Sequence, residues 1–284
     1  MAVSAARIAA RNLSNTDFVA FCWAVTGLAL AALAGILWSL VSQGIGGLDV
    51  RVFTESTPAP GSQGGLLNAI LGSILLCVFG MAIAVIVGVL AGTWLAEYAG
   101  ESHYGSAVRF INDVLLSAPS ILVGLFVYEI MVARLLGHFS GFAGAVALSL
   151  LALPVIVRTT EDVLRLQPTS LRESGIAVGA PFWHVIRQIL WRSAGSGILT
   201  GALLAFARIS GETAPLLFTA LNNQFLSLDM SRPMANLPVV IFQFAMSAYD
   251  DWRRLAWAGA LLIAAAVLTI NILARAISTE PKRS

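Results

Sequence analysis

The stretch GSGILTGALLAFARISGETAPLLFTAL, residues 195–221, decides how this chain is read. It is apolar or small throughout except for one arginine and one glutamate, Arg208 and Glu212. About 20 apolar residues cross the hydrocarbon core of a bilayer. A charge at that depth costs roughly 2.5–3.5 kcal/mol on insertion scales, so it is kept where it faces protein or water and is used. On a continuous helix a spacing of four places Arg208 and Glu212 on one face, where they can pair. The stretch therefore predicts a membrane-embedded helix bordering a polar pathway.

Working outward, the rest of the chain has the same character. Of its 284 residues, 58% are hydrophobic and only 11% charged, and the mean hydropathy is +0.84; soluble domains keep about a quarter of their residues charged. Six spans are expected, giving an all-α membrane protein with six transmembrane helices: Phe18–Val41, Ala69–Ala96, Phe110–Leu136, Phe142–Val157, Gly195–Leu221 and Leu255–Ile277. The fourth is short and can continue as helix through Arg158-Thr159-Thr160-Glu161. No cleavable signal peptide is expected, because the first apolar stretch starts late and is too long for one. Residues 1–17 read as an N-terminal tail and 18–284 as a single transmembrane domain.

Several function classes are disfavoured by composition. Basic residues are scattered, with a net charge of +2, so no nucleic-acid surface is expected. Lys282 is the only lysine, and a Walker-type phosphate loop needs one inside its glycine-rich turn. ATP-driven work would need a partner as its engine. Cys22 and Cys77 lie in expected spans and give no disulfide framework. His103, His138 and His184 have no ligand-spaced neighbours, so neither a metal nor another cofactor is expected. No catalytic set of His, Asp, Glu or Cys is visible in the spans.

Orientation follows the bias of basic residues toward the cytoplasm. With both termini inside, Arg7, Arg11, Arg109, Arg158, Arg165, Arg172, Arg187, Arg192, Arg275, Lys282 and Arg283 lie inside, and Arg51, Arg134, Arg232, Arg253 and Arg254 outside. The largest cytoplasmic segment is then Arg158–Arg192. Ser170-Leu171-Arg172-Glu173 has capping-box spacing, predicting a helix from Leu171. Gly179 can end that helix and Pro181 can open another, whose stripe is Phe182, Val185, Ile186, Ile189 and Leu190. An amphipathic hairpin lying on headgroups fits this pattern, and so does a docking hairpin for a cytoplasmic protein.

Here the chain resembles the permease subunits of ABC importers. Their cytoplasmic loop reads Glu-Ala-Ala, three residues, Gly, nine residues, Ile-x-Leu-Pro. Glu173, Gly179 and Ile189 match in register; Ser174 and Gly175 replace the alanines, and Trp191 and Arg192 the Leu and Pro. Within that group, Arg109-Phe110-Ile111-Asn112-Asp113, Ser117-Ala118-Pro119-Ser120, Arg158-Thr159-Thr160-Glu161, Gly211-Glu212-Thr213-Ala214-Pro215-Leu216-Leu217-Phe218-Thr219 and Ala235-Asn236-Leu237-Pro238 are similar to phosphate-importer permeases of the PstA type. The resemblance implies a type I ABC importer permease fold in the bacterial inner membrane, with a coupling-helix hairpin in the cytoplasmic loop 158–192. It implies a second permease subunit, a dimeric ABC ATPase docked at Glu173, Gly179, Pro181 and Ile189, a periplasmic phosphate-binding protein, and phosphate as cargo. The chain itself would not be an enzyme.

For the anion pathway the candidates are Arg208 with Glu212 as its counter-ion, Arg158 with Glu161 as a second pair at the inner mouth, and Ser117 and Ser120 beside Pro119. A guanidinium offers charge and a planar fork of donors to a phosphate. The same spacings also suit pairs that only lock helices together. A permease for another oxyanion, such as sulfate, molybdate or phosphonate, and an ion-coupled carrier or channel are the alternative functions. Gly88-x3-Gly92 and Gly197-x3-Gly201 predict close helix approaches. Gly44–Gln63 reads as a loop, and Val239–Phe242 is too short to span.

Overall fold

The computed structural model describes residues 5–278, with side chains from 15 to 273. Lys282 and Arg283 of the orientation count lie outside the described residues, as do the side chains of Arg7, Arg11 and Arg275. Every regular element among the described residues is helical: α1 (Ala5–Gly47), α2 (Val50–Thr54), α3 (Leu67–Trp94), α4 (His103–Ser117), α5 (Ser120–Val127), α6 (Gly141–Arg165), α7 (Thr169–Ala177), α8 (Phe182–Val185), α9 (Trp191–Ile209), α10 (Ala214–Thr219), α11 (Leu237–Ala245) and α12 (Asp250–Ser278). Wider π-helical turns extend α3 through Leu95–Ala99, extend α5 through Tyr128–Leu136, and join α8 to α9 through Ile186–Leu190.

Five continuous runs are long and apolar enough to cross a membrane, or six if one bent pair counts as a span. The bent pair corrects the expected single span Phe110–Leu136. His103–Ser117 and Ser120–Leu136 meet at 107°, because Pro119 has no N–H to donate and biases Ala118 to extended backbone; Ala118 has ψ 134°. The span expected at Phe142–Val157 does continue through Glu161, ending at Arg165.

The span expected at Gly195–Leu221 is also redrawn. Its helical run begins at Phe182 and ends at Ile209. The backbone breaks over Ser210–Thr213 before α10 restarts with Pro215 in its first turn. Gly211 and Pro215 outweigh the apolar continuity, since a proline ring clashes with the carbonyl four residues earlier. The Gly44–Gln63 segment is less irregular than its composition predicts: α1 runs to Gly47, and Asp49 accepts from Val50 N at the start of α2.

At the centre stands α6, 67% buried over its most apolar window, against 22% for α3 and none for α1. The two glycine pairs make that burial possible. A β-carbon built on Gly88 falls 2.8 Å from Ile156, and one on Gly201 falls 2.6 Å from Thr159. Both α3 and α9 thus press onto α6 at backbone distance, as the small-residue spacing predicts. Leu76, Leu148, Leu151, Ile156, Ile209 and Leu216 fill the core between them. α11 is largely buried against α12 and α3, with Asn236 capping it by accepting from Val239 N at 3.0 Å. By contrast, α1 leaves Phe18, Phe21, Trp23 and Trp38 exposed.

Candidate functional site

Two regions bear on function: the break after α9, and the α7–α8 segment at the opposite end of α3. At the break, Arg208 is in the last turn of α9 and exposed, while Glu212 is half-buried in the non-helical link. Because the helix stops between them, they do not share a face. Among the described residues no ion pair joins them, and neither side chain has a hydrogen bond. The expected Arg208–Glu212 pair is therefore absent, and Arg208 is left as an unmatched cation.

Two clefts meet beside this break. One, of about 350 Å³, is almost wholly apolar and lies between Ile74 and Cys77 of α3, Phe206 of α9, and Leu262 of α12. The other, of about 550 Å³, is lined by Ala207, Gly211, Ile263 and Asn271. Ser210, whose hydroxyl donates to Ala207 O at 3.0 Å, borders both.

The other helix break lies close by. Ser117 ends α4, exposed and donating to Val114 O at 3.0 Å, and Ser120 opens α5. α5 then packs on α10: a β-carbon at Gly124 would fall 2.6 Å from Pro215 Cα. The helices restarting after the two breaks are thus in direct contact, although Ser117, Ser120 and Arg208 make no hydrogen bond to one another.

Near the far end of α6 the expected Arg158–Glu161 pair is replaced by three others. Arg158 lies 3.2 Å from Asp162, one turn along, with both side chains half exposed. Glu161, 3% exposed, receives Arg109 Nε from α4 at 2.7 Å and lies 2.8 Å from Arg165. A carboxylate this buried needs charge close by. Arg109 supplies it because α4 packs across α6, and it also donates to the Leu95 and Gly100 carbonyls at 3.0 Å each. Sequence spacing alone does not register this contact between positions 52 residues apart.

The α7–α8 segment is held by a second buried pair. Arg172 gives Nε and one terminal nitrogen to the two oxygens of Glu97 at 2.8 and 2.6 Å, and the Glu97 side chain is 2% exposed. Its remaining donors reach Leu164 O at 2.9 Å and Gln167 O at 2.8 Å, closing the end of α6. The bidentate bond to Glu97 raises the Arg172 pKa above its ordinary value, opposed in part by burial. The helix starts at Thr169 after Pro168 and not at Leu171, so the capping box is not formed.

Gly179 ends α7 as its sequence predicts. With φ +79°, its N–H reaches Ile176 O at 2.9 Å while Ala180 N–H reaches Gly175 O at 3.3 Å, the two bonds of a Schellman motif. Pro181 precedes α8. Glu173 is exposed, and Ile189 is half-buried against Gly175. The motif departures have local causes. A β-carbon at Gly175 would fall 2.7 Å from Val185, so alanine does not fit there without movement. Trp191 donates its indole N–H to Thr93 Oγ1 of α3 at 3.0 Å. Arg192, where the motif has proline, lets α8 run without interruption into α9.

Comparison with known proteins bears on the family and the fold. Residues 88–280 match the family described as binding-protein-dependent transport system inner membrane component. The phosphate transport system permease protein PstA of Pasteurella multocida is 53% identical over 265 residues, covering 93% of this chain and 94% of that protein. PstA of Haemophilus influenzae is 57% identical over 243 residues, covering 86% of each. Among solved structures, an inward-facing form of the MetNI methionine ABC transporter superposes with a TM-score of 0.58 at 21% identity, over 74% of this chain and 91% of that one. A bacterial ABC transporter involved in alginate import gives 0.59 at 14%, over 90% and 96%. These two likenesses concern the fold.

Proposed function

We propose that this chain, which belongs to the family of binding-protein-dependent inner-membrane transport components and within it to the PstA-type permeases, forms half of the passage through which an ATP-driven importer moves inorganic phosphate from periplasm to cytoplasm. The observation that carries this reading is the near-full-length likeness to phosphate permeases. The chain is a multi-pass transport subunit of the bacterial inner membrane, not an enzyme; hydrolysis belongs to a partner ATPase.

In this reading both termini and the α7 end lie in the cytoplasm, and α11 lies toward the periplasm. A second permease covers the exposed apolar faces that α1 and the α9 break present. Arg208, free of a counter-ion among the described residues, meets the phosphate, and Ser117 and Ser120 flank the neighbouring break. Discontinuous helices in contact are a common way to build a transport site at membrane depth. Arg158 stands at the inner mouth, while Glu161 locks α4 to α6 and is not a ligand. Glu173, with the exposed Ile176, Val178 and Trp183 around it, faces the ATPase as a coupling-helix hairpin; Gly179 and Pro181 fix its turn, and Ile189 packs beneath it. A periplasmic phosphate-binding protein delivers to the α11 end.

Reconstitution with the second permease, the ATPase and the binding protein in liposomes tests this. ATP-dependent accumulation of radiolabelled phosphate, unaffected by excess sulfate, is expected. Accumulation of sulfate in place of phosphate, or full transport by this chain alone, would overturn it.

A further inference from the structure

We propose that the buried Arg172–Glu97 pair is a strut that delivers movement of the α7–α8 unit to α3 and along it to the outer loops, making Arg172 a positioning residue of the transport cycle. This rests on the reading of α7–α8 as the ATPase-docking unit. The unit has a direct covalent route to α9, because α8 continues into that helix. It has no such route to α3. Among the described residues its polar link there is the Arg172 fork on Glu97, with the Phe182 ring edge-on to Tyr98 beside it at 5.5 Å; the Trp191 bond to Thr93 ties α3 to the start of α9 instead.

The fork has the properties of a stiff link. Two parallel bonds to one carboxylate fix orientation where one bond would pivot. The Glu97 side chain is almost fully buried and has no basic residue within a helical turn, so it cannot release Arg172 without stranding a buried charge. Glu97 sits in the π-helical turn Leu95–Ala99, and such turns recur at functional sites.

From there α3 runs unbroken to Leu67, 33 residues in all and about 50 Å at the α-helical rise. Its other end holds the outer loops. Asn68 accepts from Thr57 N at 3.0 Å and donates to Asn223 O at 2.8 Å, and Ser73 Oγ accepts from Leu237 N at the start of α11 at 2.8 Å. A displacement of α7 that carries Glu97 with it therefore reaches both loops bordering the outer mouth.

The test uses the assembled complex in proteoliposomes and reads phosphate taken up per ATP hydrolysed. Arg172→Gln is expected to retain ATPase activity and to lower that ratio by roughly two- to thirty-fold, the range in which coupling residues act. An unchanged ratio overturns the strut. A merely structural role would reduce the amount of complex and leave the ratio alone. Should Arg172→Gln yield no complex, Arg172→Lys decides: it keeps the charge but replaces the fork with one ammonium, and an unchanged ratio again overturns the proposal. A cargo-independent readout separates this from the phosphate reading. In a chain with Cys22→Ala and Cys77→Ala, labelling of Leu228→Cys by an impermeant maleimide should change on ATP addition, and Arg172→Lys should abolish that change. If wild type carries no phosphate but shows that pattern, the cargo is wrong and the strut stands; if Arg172→Lys leaves the change intact, the strut falls.

Discussion

Arg109 Nε donates to Glu161 Oε1 at 2.7 Å across the contact between α4 and α6, and Arg165 approaches the same oxygen at 2.8 Å. Two guanidiniums thus serve one carboxylate that is 3% exposed. The next residue, Asp162, pairs with Arg158, both members about half exposed. The two pairs share chemistry and differ in burial, which sets what each is worth.

Glu161→Gln should therefore be severe. It leaves Arg109, 19% exposed, without its counter-ion, and breaking a buried pair costs about 3–5 kcal/mol. Asp162→Asn, at the solvated pair, should cost less than about 1 kcal/mol. Thermal unfolding of the purified complex separates them: a lowered midpoint for Glu161→Gln and a near-native one for Asp162→Asn.

Two glycines of the α7–α8 segment should respond to alanine for different reasons. At Gly179 nothing lies within 4 Å of a built β-carbon, so Gly179→Ala costs only the left-handed backbone conformation, about 1–2 kcal/mol. At Gly175 the backbone is ordinary helix and the obstacle is Val185. Overpacking costs about 1–3 kcal/mol, against a gain of about 0.5–1 kcal/mol from replacing a helical glycine. Gly175→Ala should destabilise wild type and become stabilising in a Val185→Ala background. The same two substitutions in a double-mutant cycle, read by chemical unfolding, check that reversal of sign.

Asp229 in the loop before α11 titrates below the usual carboxylate range. The Ser231 hydroxyl at 2.6 Å is the main cause, followed by the Ser231 N–H, with Arg232 adding charge. The carboxylate bonds therefore favour the folded loop at every pH above the unfolded carboxylate range, and that contribution disappears as pH falls through the depressed pKa. Ser231→Ala should move the Asp229 titration upward toward its ordinary value, as read by carboxyl NMR. An unmoved titration would mean that the hydroxyl does not hold it.

How much of this was legible in the sequence depends on how far each interaction reaches along the chain. The Gly179 stop and the close approaches of the two glycine pairs follow from one residue and its neighbours, and both are read correctly; the bend at Pro119 within the expected span Phe110–Leu136 is not. Nor are the ion pairs. Helical spacing predicts Arg208–Glu212 and Arg158–Glu161, yet Gly211 and Pro215 end the first helix and Arg109 reaches Glu161 from another. Glu97 carried the missing signal: a carboxylate at the end of an apolar span with no basic residue within one turn must find a distant partner. Arg172, 75 residues away, is that partner, and nothing local names it.

The central claim is that Arg208, separated from Glu212 by the break in α9 and without a counter-ion among the described residues, meets the transported anion. Phosphate uptake by proteoliposomes holding the assembled complex, wild type against Arg208→Gln, tests it most directly. A charged hydrogen bond is worth about 1.5–3 kcal/mol, so uptake should fall by about tenfold or more with assembly and ATPase binding intact. Equal uptake by an equally assembled Arg208→Gln complex would contradict the account.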